Sequence, residues 1–233
     1  MGLDLYVGPL TRYYLGDWQT ITQQLGAQLG YEVSVVRPEP EPEDRVTDPG
    51  VVLGAVRDWQ EGIGEALGSP LDWSEGPALP YWTDKPDWDG YGAVALLAAY
   101  DEHPDLRHEA DDPRAFADAP AHQEASAQPE RYYSLLGGVE WWLPLSVDPV
   151  VIEASPPAGE PLRMASVDRL LSELRLLGER TGILAGHDLE EVRRAGPADD
   201  GAPVEELARF GLAVMLALAE AAAEHRQPLL MDY

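Results

Sequence analysis

The stretch YWTDKPDWDGY, residues 81–91, concentrates side chains that could bind a ligand. It offers one ammonium, three carboxylates and two indoles: Lys85, Asp84, Asp87, Asp89, Trp82 and Trp88. Lys85 is the sole lysine of the chain, although arginine would serve a simple surface ion pair as well. A compact ammonium on a flexible stem suits a narrow aromatic-walled space. Two interpretations follow: Lys85 is the counter-ion of an acidic turn whose helix is capped by Asp89, or it contacts an anionic or carbonyl group of a ligand.

The same stretch resembles part of a calcium-binding loop. Aligning Asp87, Asp89 and Gly90 with such a loop places Lys85 at the first ligand position and Leu96 at that of the bidentate glutamate. A cation and an alkyl group cannot replace two oxygen ligands. The sequence therefore excludes a calcium loop of this type.

A second group of candidate ligand-binding residues stands near the amino terminus. Asp4 lies inside a predicted strand, and TRYY (11–14) follows the break at Gly8-Pro9. A buried carboxylate needs a partner, and Arg12 is the nearest cation in sequence. One interpretation is an ion pair of Asp4 with Arg12. The other is a cleft at the carboxyl end of the first strand, lined by Asp4 and Tyr13, where open α/β sheets bind ligands.

Other chemistry finds little support. The chain has no cysteine, no phosphate-binding glycine loop, no nucleophile elbow and no paired-histidine zinc motif. His103, His108 and His122 stand among acidic residues, but their spacing matches no metal motif. We expect no cofactor and no metal, and no catalytic residue can be assigned.

Local signals predict four helices. Asp48-Pro49 predicts a start, with apolar residues at helical spacing up to Gly68. Residues 91–100 are apolar all round, which predicts a buried helix. Ser166 predicts the cap of a helix ending near Gly182, and residues 204–225 predict the last helix.

Alternating patterns predict the strands. Residues 2–8 and 31–36 alternate on either side of a helix that begins at Asp17 and ends at Gly30, which favours a parallel pair. Residues 138–146 and 149–154 predict two strands around a turn, with Trp141 and Trp142 on opposite faces. The fold class is therefore α/β or α+β, with a small mixed sheet of about four to five strands packed by about five helices.

Domain organisation follows from length and composition. A chain of 233 residues favours a single domain that spans residues 1–233. Residues 37–49, 69–89 and 183–203 are expected to be connections. Residues 104–130, rich in alanine, proline and acid, are expected to form a mobile excursion, because they offer little apolar surface to bury.

The charge restricts the partners. Forty-two acidic residues against sixteen basic ones give a net charge of −26, which disfavours nucleic acid and anionic membranes. A basic protein or a small molecule is the expected partner. The opening residues lack the pattern of a signal peptide, so we expect a cytoplasmic location. Many arginines with abundant Ala, Gly and Pro are typical of a bacterial source.

Three segments carry a family resemblance. MGLDLYVGPLTRYYLGDW, TDKPDWDGYGA and AEAAAEHRQPLLMDY together resemble an uncharacterised family of bacterial proteins. The resemblance covers most of the chain and implies one domain. It implies no activity and no catalytic residues.

Three classes of function follow. The favoured one is a ligand- or partner-binding, non-catalytic protein, and an immunity-type protein that masks a basic toxin would suit its charge. The alternative is a small-molecule enzyme that uses carboxylates as acid and base, with Lys85 or Arg12 as anion clamp. The third is a structural or regulatory protein without a small-molecule site.

Overall fold

The computed structural model describes residues 2–34, 48–108, 111–147, 151–199 and 201–233. These residues form one mixed sheet of six strands, with order β2-β1-β6-β3-β5-β4. The strands are β1 (Asp4–Val7), β2 (Trp82–Asp84), β3 (Trp141–Leu143), β4 (Ile152–Ala154), β5 (Leu162–Ser166) and β6 (Leu229–Asp232). The mixed α/β class predicted from the sequence is confirmed, with slightly more strands than expected.

Helices cover both faces of this sheet. They are α1 (Leu10–Leu15), α2 (Ile21–Gln28), α3 (Pro49–Leu67), α4 (Asp87–Glu102), α5 (Pro120–Ala127), α6 (Tyr133–Leu136), α7 (Val167–Thr181), α8 (Leu189–Ala195) and α9 (Val204–His225). Two short 3₁₀ segments, Pro104–Leu106 and Pro113–Asp118, join α4 to α5. Nowhere in the described ranges is a helix both long enough and apolar enough to cross a membrane.

The strand pairing differs from the parallel start that we predicted. β1 pairs antiparallel with β2 and with β6, and β6 pairs antiparallel with β3. The sole parallel pair among the described strands is β3 with β5, and β4 joins the far edge antiparallel to β5. β3 and β4 therefore form no hairpin, because β5 lies between them.

Two apolar clusters lie on the two faces of the sheet. Leu5 of β1 packs in the cluster built with α4, α7 and α9. Tyr6, the next residue, packs in the cluster built with α1 and α3. Trp142 packs in the first of these clusters and Trp141 in the second, as their predicted positions on opposite faces of the strand require. The sheet is thus the middle of three layers.

The helices with strong local signals begin and end where the sequence predicts. The Asp48 carboxylate accepts from the Gly50 amide at the start of α3, and Gly68 ends that helix with φ 65°. The Ser166 hydroxyl accepts from the Arg169 amide at the start of α7. α9 covers the predicted range.

Helix α4 is buried on nearly all sides, as its composition predicted. It crosses α9 at two glycines: a Cβ on Gly211 would lie 2.3 Å from the Gly90 carbonyl oxygen. Small residues at a crossing let two helix backbones approach closely, and no larger side chain fits here.

Several local predictions were wrong. Residues 31–34 form no strand, and residues 35–36 of the same prediction lie outside the described part. Thr20 caps α2: its hydroxyl accepts from the Gln23 amide, and the Gln23 side chain accepts from the Thr20 amide. The predicted cap at Asp17 is therefore incorrect. Contacts with distant parts of the chain determine whether an alternating run forms a strand, because a short run of this kind is compatible with several structures.

The described part of residues 104–130 contains the two 3₁₀ segments and α5. Ala121 and Ala125 of α5 are fully buried, and α5 packs on α4. Gly92 of α4 lies against this stretch, since a Cβ there would meet the Pro113 carbonyl oxygen at 1.8 Å. Helical packing on α4 is thus the observed arrangement, and the mobility of this stretch stays a prediction for amide exchange to test.

Candidate functional site

The structure brings Asp4 and Tyr13 close together on the α1/α3 side of the sheet. Asp4 opens β1 and is 8% exposed, and Asp232 of β6 stands directly opposite. The Tyr13 hydroxyl donates to Asp232 Oδ1 at 3.1 Å. The group lies at the amino end of β1, not at the carboxyl end that we predicted. Asp232 belongs to this group and was not predicted.

Arg12 has a different environment. Its guanidinium donates to the Leu79 carbonyl oxygen at 2.7 Å and lies over the Tyr81 ring at 4.4 Å. Its ion pair is with Asp17, at 3.9 Å, rather than with Asp4. Arg12 therefore fastens α1 to the loop before β2.

The three carboxylates around Lys85 each have their own cation. The pairs are Asp84 with Arg193 at 2.7 Å, Asp87 with Lys85 at 3.8 Å and Asp89 with Arg114 at 2.6 Å. Lys85 thus neutralises one neighbour rather than the whole turn. Its ammonium lies against the backbone of Gly2, where an added Cβ would be 2.3 Å from Nζ. Asp89 lies in the first turn of α4 and does not cap it.

The candidate residues are divided between the two sides of the sheet. Trp82 stacks on the His225 ring, with centroids 4.2 Å apart, on the α4/α9 side of the sheet. Asp87, Trp88 and Asp89 line a shallow depression of about 560 Å³ with Arg114 and Phe116. A binding role for this depression stays a prediction.

Of the three histidines, His122 lies against an aromatic ring. His122 packs edge-on against Phe116, and burial lowers its pKa. In the described ranges, no group of three His, Asp or Glu side chains could hold a metal ion.

A polar pocket of about 370 Å³ lies at the carboxyl ends of the parallel strands β3 and β5. Its walls come from the segment before α6, the residues after β3 and the first two turns of α7: Arg131, Leu145, Ser146, Val147, Ser166, Asp168, Arg169, Ser172, Glu173 and Leu176. Ligands of open α/β sheets bind at such edges, and this volume suits a small molecule.

Two guanidinium groups reach this pocket from different elements. Arg169 lies over the Tyr133 ring at 5.6 Å, and its backbone amide binds the Ser166 hydroxyl. Arg131 is 33% exposed and stands 3.8 Å from Asp101 Oδ2 and 3.7 Å from Glu130 Oε2. These distances are long for ion pairs, so its charge is only partly compensated by them.

Asp101 is held more tightly by other groups. Arg180 donates to its Oδ2 at 2.5 Å, and the Tyr132 hydroxyl donates at 2.9 Å. Burial would raise the pKa of Asp101, but the hydrogen bonds from Arg180 and Tyr132 outweigh it and lower that pKa below its ordinary value. The Arg131 guanidinium is therefore the less committed cation of this cluster.

Glu173 forms the inner wall of the pocket and is only 2% exposed. Its carboxylate accepts from the Ser134 amide and hydroxyl and from the Leu135 amide, at 2.8–3.1 Å. Burial, the largest influence, raises the pKa of Glu173 to about 7, although these hydrogen bonds and the Arg169 charge lower it. A titratable group of this kind inside a pocket is typical of functional sites.

A second buried glutamate holds the same segment. Glu102 of α4 accepts from the amides of Glu130, Arg131 and Tyr132. Glu102 and Glu173 thus fix the backbone on both sides of Tyr133, and the Arg131 side chain begins inside this clamped segment. The pocket wall is positioned by these long-range hydrogen bonds.

Comparisons of the chain with family models, with curated proteins and with solved structures gave no match.

Proposed function

We propose that the protein is a non-catalytic small-molecule-binding protein whose site is the pocket at the carboxyl ends of β3 and β5. The observation that supports this most is the convergence of two guanidiniums, serine hydroxyls and a buried carboxylate on one concavity at that edge. Binding pockets combine a few placed polar groups with apolar walls, and Leu145 and Leu176 supply the latter here.

A thermal-shift screen tests the proposal. The panel contains sugars, amines, carboxylates, sulfonates and nucleosides. A ligand at 100 times its Kd stabilises the folded state by about 2.7 kcal/mol and so raises the Tm. The exposed Ser146 in the pocket wall is replaced by tryptophan to fill the space, and Thr22→Trp on exposed α2 is the matched control.

The expected result is a Tm rise in the wild type and in Thr22→Trp that Ser146→Trp abolishes. Equal rises in the two variants would place the ligand elsewhere. A panel without any rise would contradict the proposal.

An enzyme is the second candidate, and Glu173 is the observation that favours it. A carboxyl group with a pKa of about 7 can exchange protons at neutral pH. Arg12 and Lys85, the anion clamps predicted for such an enzyme, contact Asp17 and Asp87 and do not line this pocket. Conversion of a bound compound, detected by mass spectrometry and lost in Glu173→Gln, would establish this alternative.

The net charge of −26 supports a basic protein as a further partner. Asp58, Glu61 and Glu65 are exposed along α3 and would attract such a partner. Because exposed charges are screened within about 8 Å at physiological ionic strength, its affinity should fall as salt rises. A partner with equal affinity in low and high salt would contradict this role. A bacterial source and a cytoplasmic location remain part of the same proposal.

A further inference from the structure

We propose that the ligand of the β3–β5 pocket is a small anion held by Arg131 and Arg169, and that Glu173 takes up a proton when the anion binds. This inference rests on the proposed small-molecule site and adds the chemical class of its ligand. It concerns the described residues of the pocket only.

The two guanidiniums give the pocket its preference for an anion. They approach from separate elements, Arg131 from the segment before α6 and Arg169 from the first turn of α7. Guanidinium groups bind carboxylate, sulfate or phosphate oxygens through paired N–H donors. A flat ring stacked under Arg169, that of Tyr133, restricts the orientation of its guanidinium.

Several arginines of the described residues already bind a carboxylate closely. Arg114, Arg180 and Arg193 stand 2.5–2.7 Å from their aspartates. Arg131 differs, because its nearest carboxylate oxygens lie 3.7 and 3.8 Å away and Asp101 is taken by Arg180. An incoming anion can therefore compete for Arg131 at a smaller cost than for the other three.

The carboxylates of the pocket oppose this binding unless one is neutral. With Asp168 and Glu173 ionised, the two negative charges balance the two guanidiniums. Asp168 is exposed and its charge is screened by water, whereas Glu173 is buried and its charge is not. Protonation of Glu173 removes one negative charge from the pocket, which gives the state that an anion prefers.

The surroundings of Glu173 make that proton available near neutral pH. Arg169 on α7 and Arg131 on the facing segment are the cations around it, and Asp168 is the nearby acid. From α4, Glu102 and Asp101 contact the same facing segment, while the α9 acid that reaches α7, Glu220, is paired with Arg175. Burial raises the pKa of Glu173 to about 7, so this group can gain or release a proton near neutral pH.

The overall negative charge of the protein does not prevent this binding. Charges beyond about 8 Å are screened at physiological ionic strength, so the ligand responds mainly to the groups that line the pocket. The net charge slows the approach of an anion more than it weakens the final contact.

Sulfate is the probe, because its charge does not change between pH 5 and 9, and dimethyl sulfone is its neutral counterpart. Binding is followed by NMR titration of the intact protein at pH 6, 7 and 8. If binding requires the protonated Glu173, the Kd for sulfate rises roughly tenfold from pH 6 to pH 8. Dimethyl sulfone should bind at least tenfold more weakly at pH 6.

Four variants separate the roles of the residues. Arg131→Gln and Arg169→Gln should each weaken sulfate binding by tenfold or more. Arg175→Gln, which alters an exposed arginine on α7 outside the pocket, should leave the Kd unchanged. Glu173→Gln, a permanently neutral side chain, should bind sulfate at pH 8 as tightly as the wild type does at pH 6, with no change over this range.

The results that overturn the inference differ from those that overturn the site. If compounds of the screen bind in a manner that Ser146→Trp abolishes while sulfate does not bind, the site stands and the anion inference fails. Sulfate binding that is unaffected by Arg131→Gln and Arg169→Gln also overturns it. A wild-type Kd that is constant from pH 6 to pH 8 removes the proton uptake by Glu173.

Discussion

The ionisation of Glu173 should make the folded protein less stable as pH rises. This carboxyl group has an ordinary pKa of 4.5 when exposed, and burial raises it to about 7 in the folded protein. Between these pH values the folded state holds the proton and the unfolded state has released it. The stabilisation is therefore complete below pH 4.5 and is lost as pH rises through 7.

The magnitude follows from the size of the shift. A change of about 2.5 pKa units at about 1.36 kcal/mol per unit gives about 3 kcal/mol between pH 4.5 and pH 8. Glutamine at this position keeps an acceptor for the Ser134 amide but cannot ionise. Glu173→Gln should thus cost a constant amount of stability at every pH and lose this part of the pH dependence.

Urea unfolding of the wild type and the variant at pH 5, 6, 7 and 8 measures the effect. The free energy of unfolding of the wild type minus that of Glu173→Gln should fall by about 2.5 kcal/mol from pH 5 to pH 8. Glu179→Gln, an exposed glutamate on the same helix, is the control and should show no such trend. A difference that is constant with pH would refute the reasoning.

Four other substitutions test the fold and the first candidate site. Gly211→Ala should destabilise the protein by about 1–3 kcal/mol in urea unfolding, because its Cβ would meet the Gly90 carbonyl oxygen. Gly62→Ala, the control with open space around the new Cβ, should stabilise the protein by up to about 1 kcal/mol. Ala95→Asp should cost about 2 kcal/mol or more through an unpaired buried charge, and native-like stability would disprove the packing of α4. Lys85→Arg should leave ligand binding in the β3–β5 pocket unchanged, and a tenfold loss would show that Lys85 belongs to the site.

Helices with a capping residue at both ends could be predicted from the sequence. α3 has Asp48 and Pro49 before it and Gly68 after it, and α7 lies between Ser166 and Gly182. Such caps act through bonds within a few residues, so the local sequence contains the whole signal. This is why their bounds agree with the predictions.

The central strand β6 gave no such signal. Its residues, LLMD, form a short apolar run after α9 without a turn motif. It is a strand because it pairs with β1 and β3, which are distant in sequence. β2 was missed within the predicted connection 69–89, and β5 lies in a stretch to which the sequence assigned no element, because strand pairing rather than pattern determines them. α8 was missed within the predicted connection 183–203, although Asp188 caps it.

The pocket at β3 and β5 was hidden from sequence reasoning in a similar way. Glu173 stands in an ordinary amphipathic helix, SELRLL, and nothing nearby distinguishes it from an exposed glutamate. Its partners Ser134 and Leu135 are 39 and 38 residues away. A search for polar residues just after predicted strands would have found Ser146 and Ser166, but the parallel pairing that joins them was not predicted.

The place of β6 has a consequence for biosynthesis. β6 follows all the other strands in the sequence, yet it lies between β1 and β3 in the sheet. While the ribosome is still adding α9, the β2–β1 pair and the β3–β5–β4 group can each form, but both expose an edge that only β6 covers. Open edges of this kind invite pairing with other chains. The nascent protein should therefore depend on chaperones most strongly in the interval just before its last strand emerges.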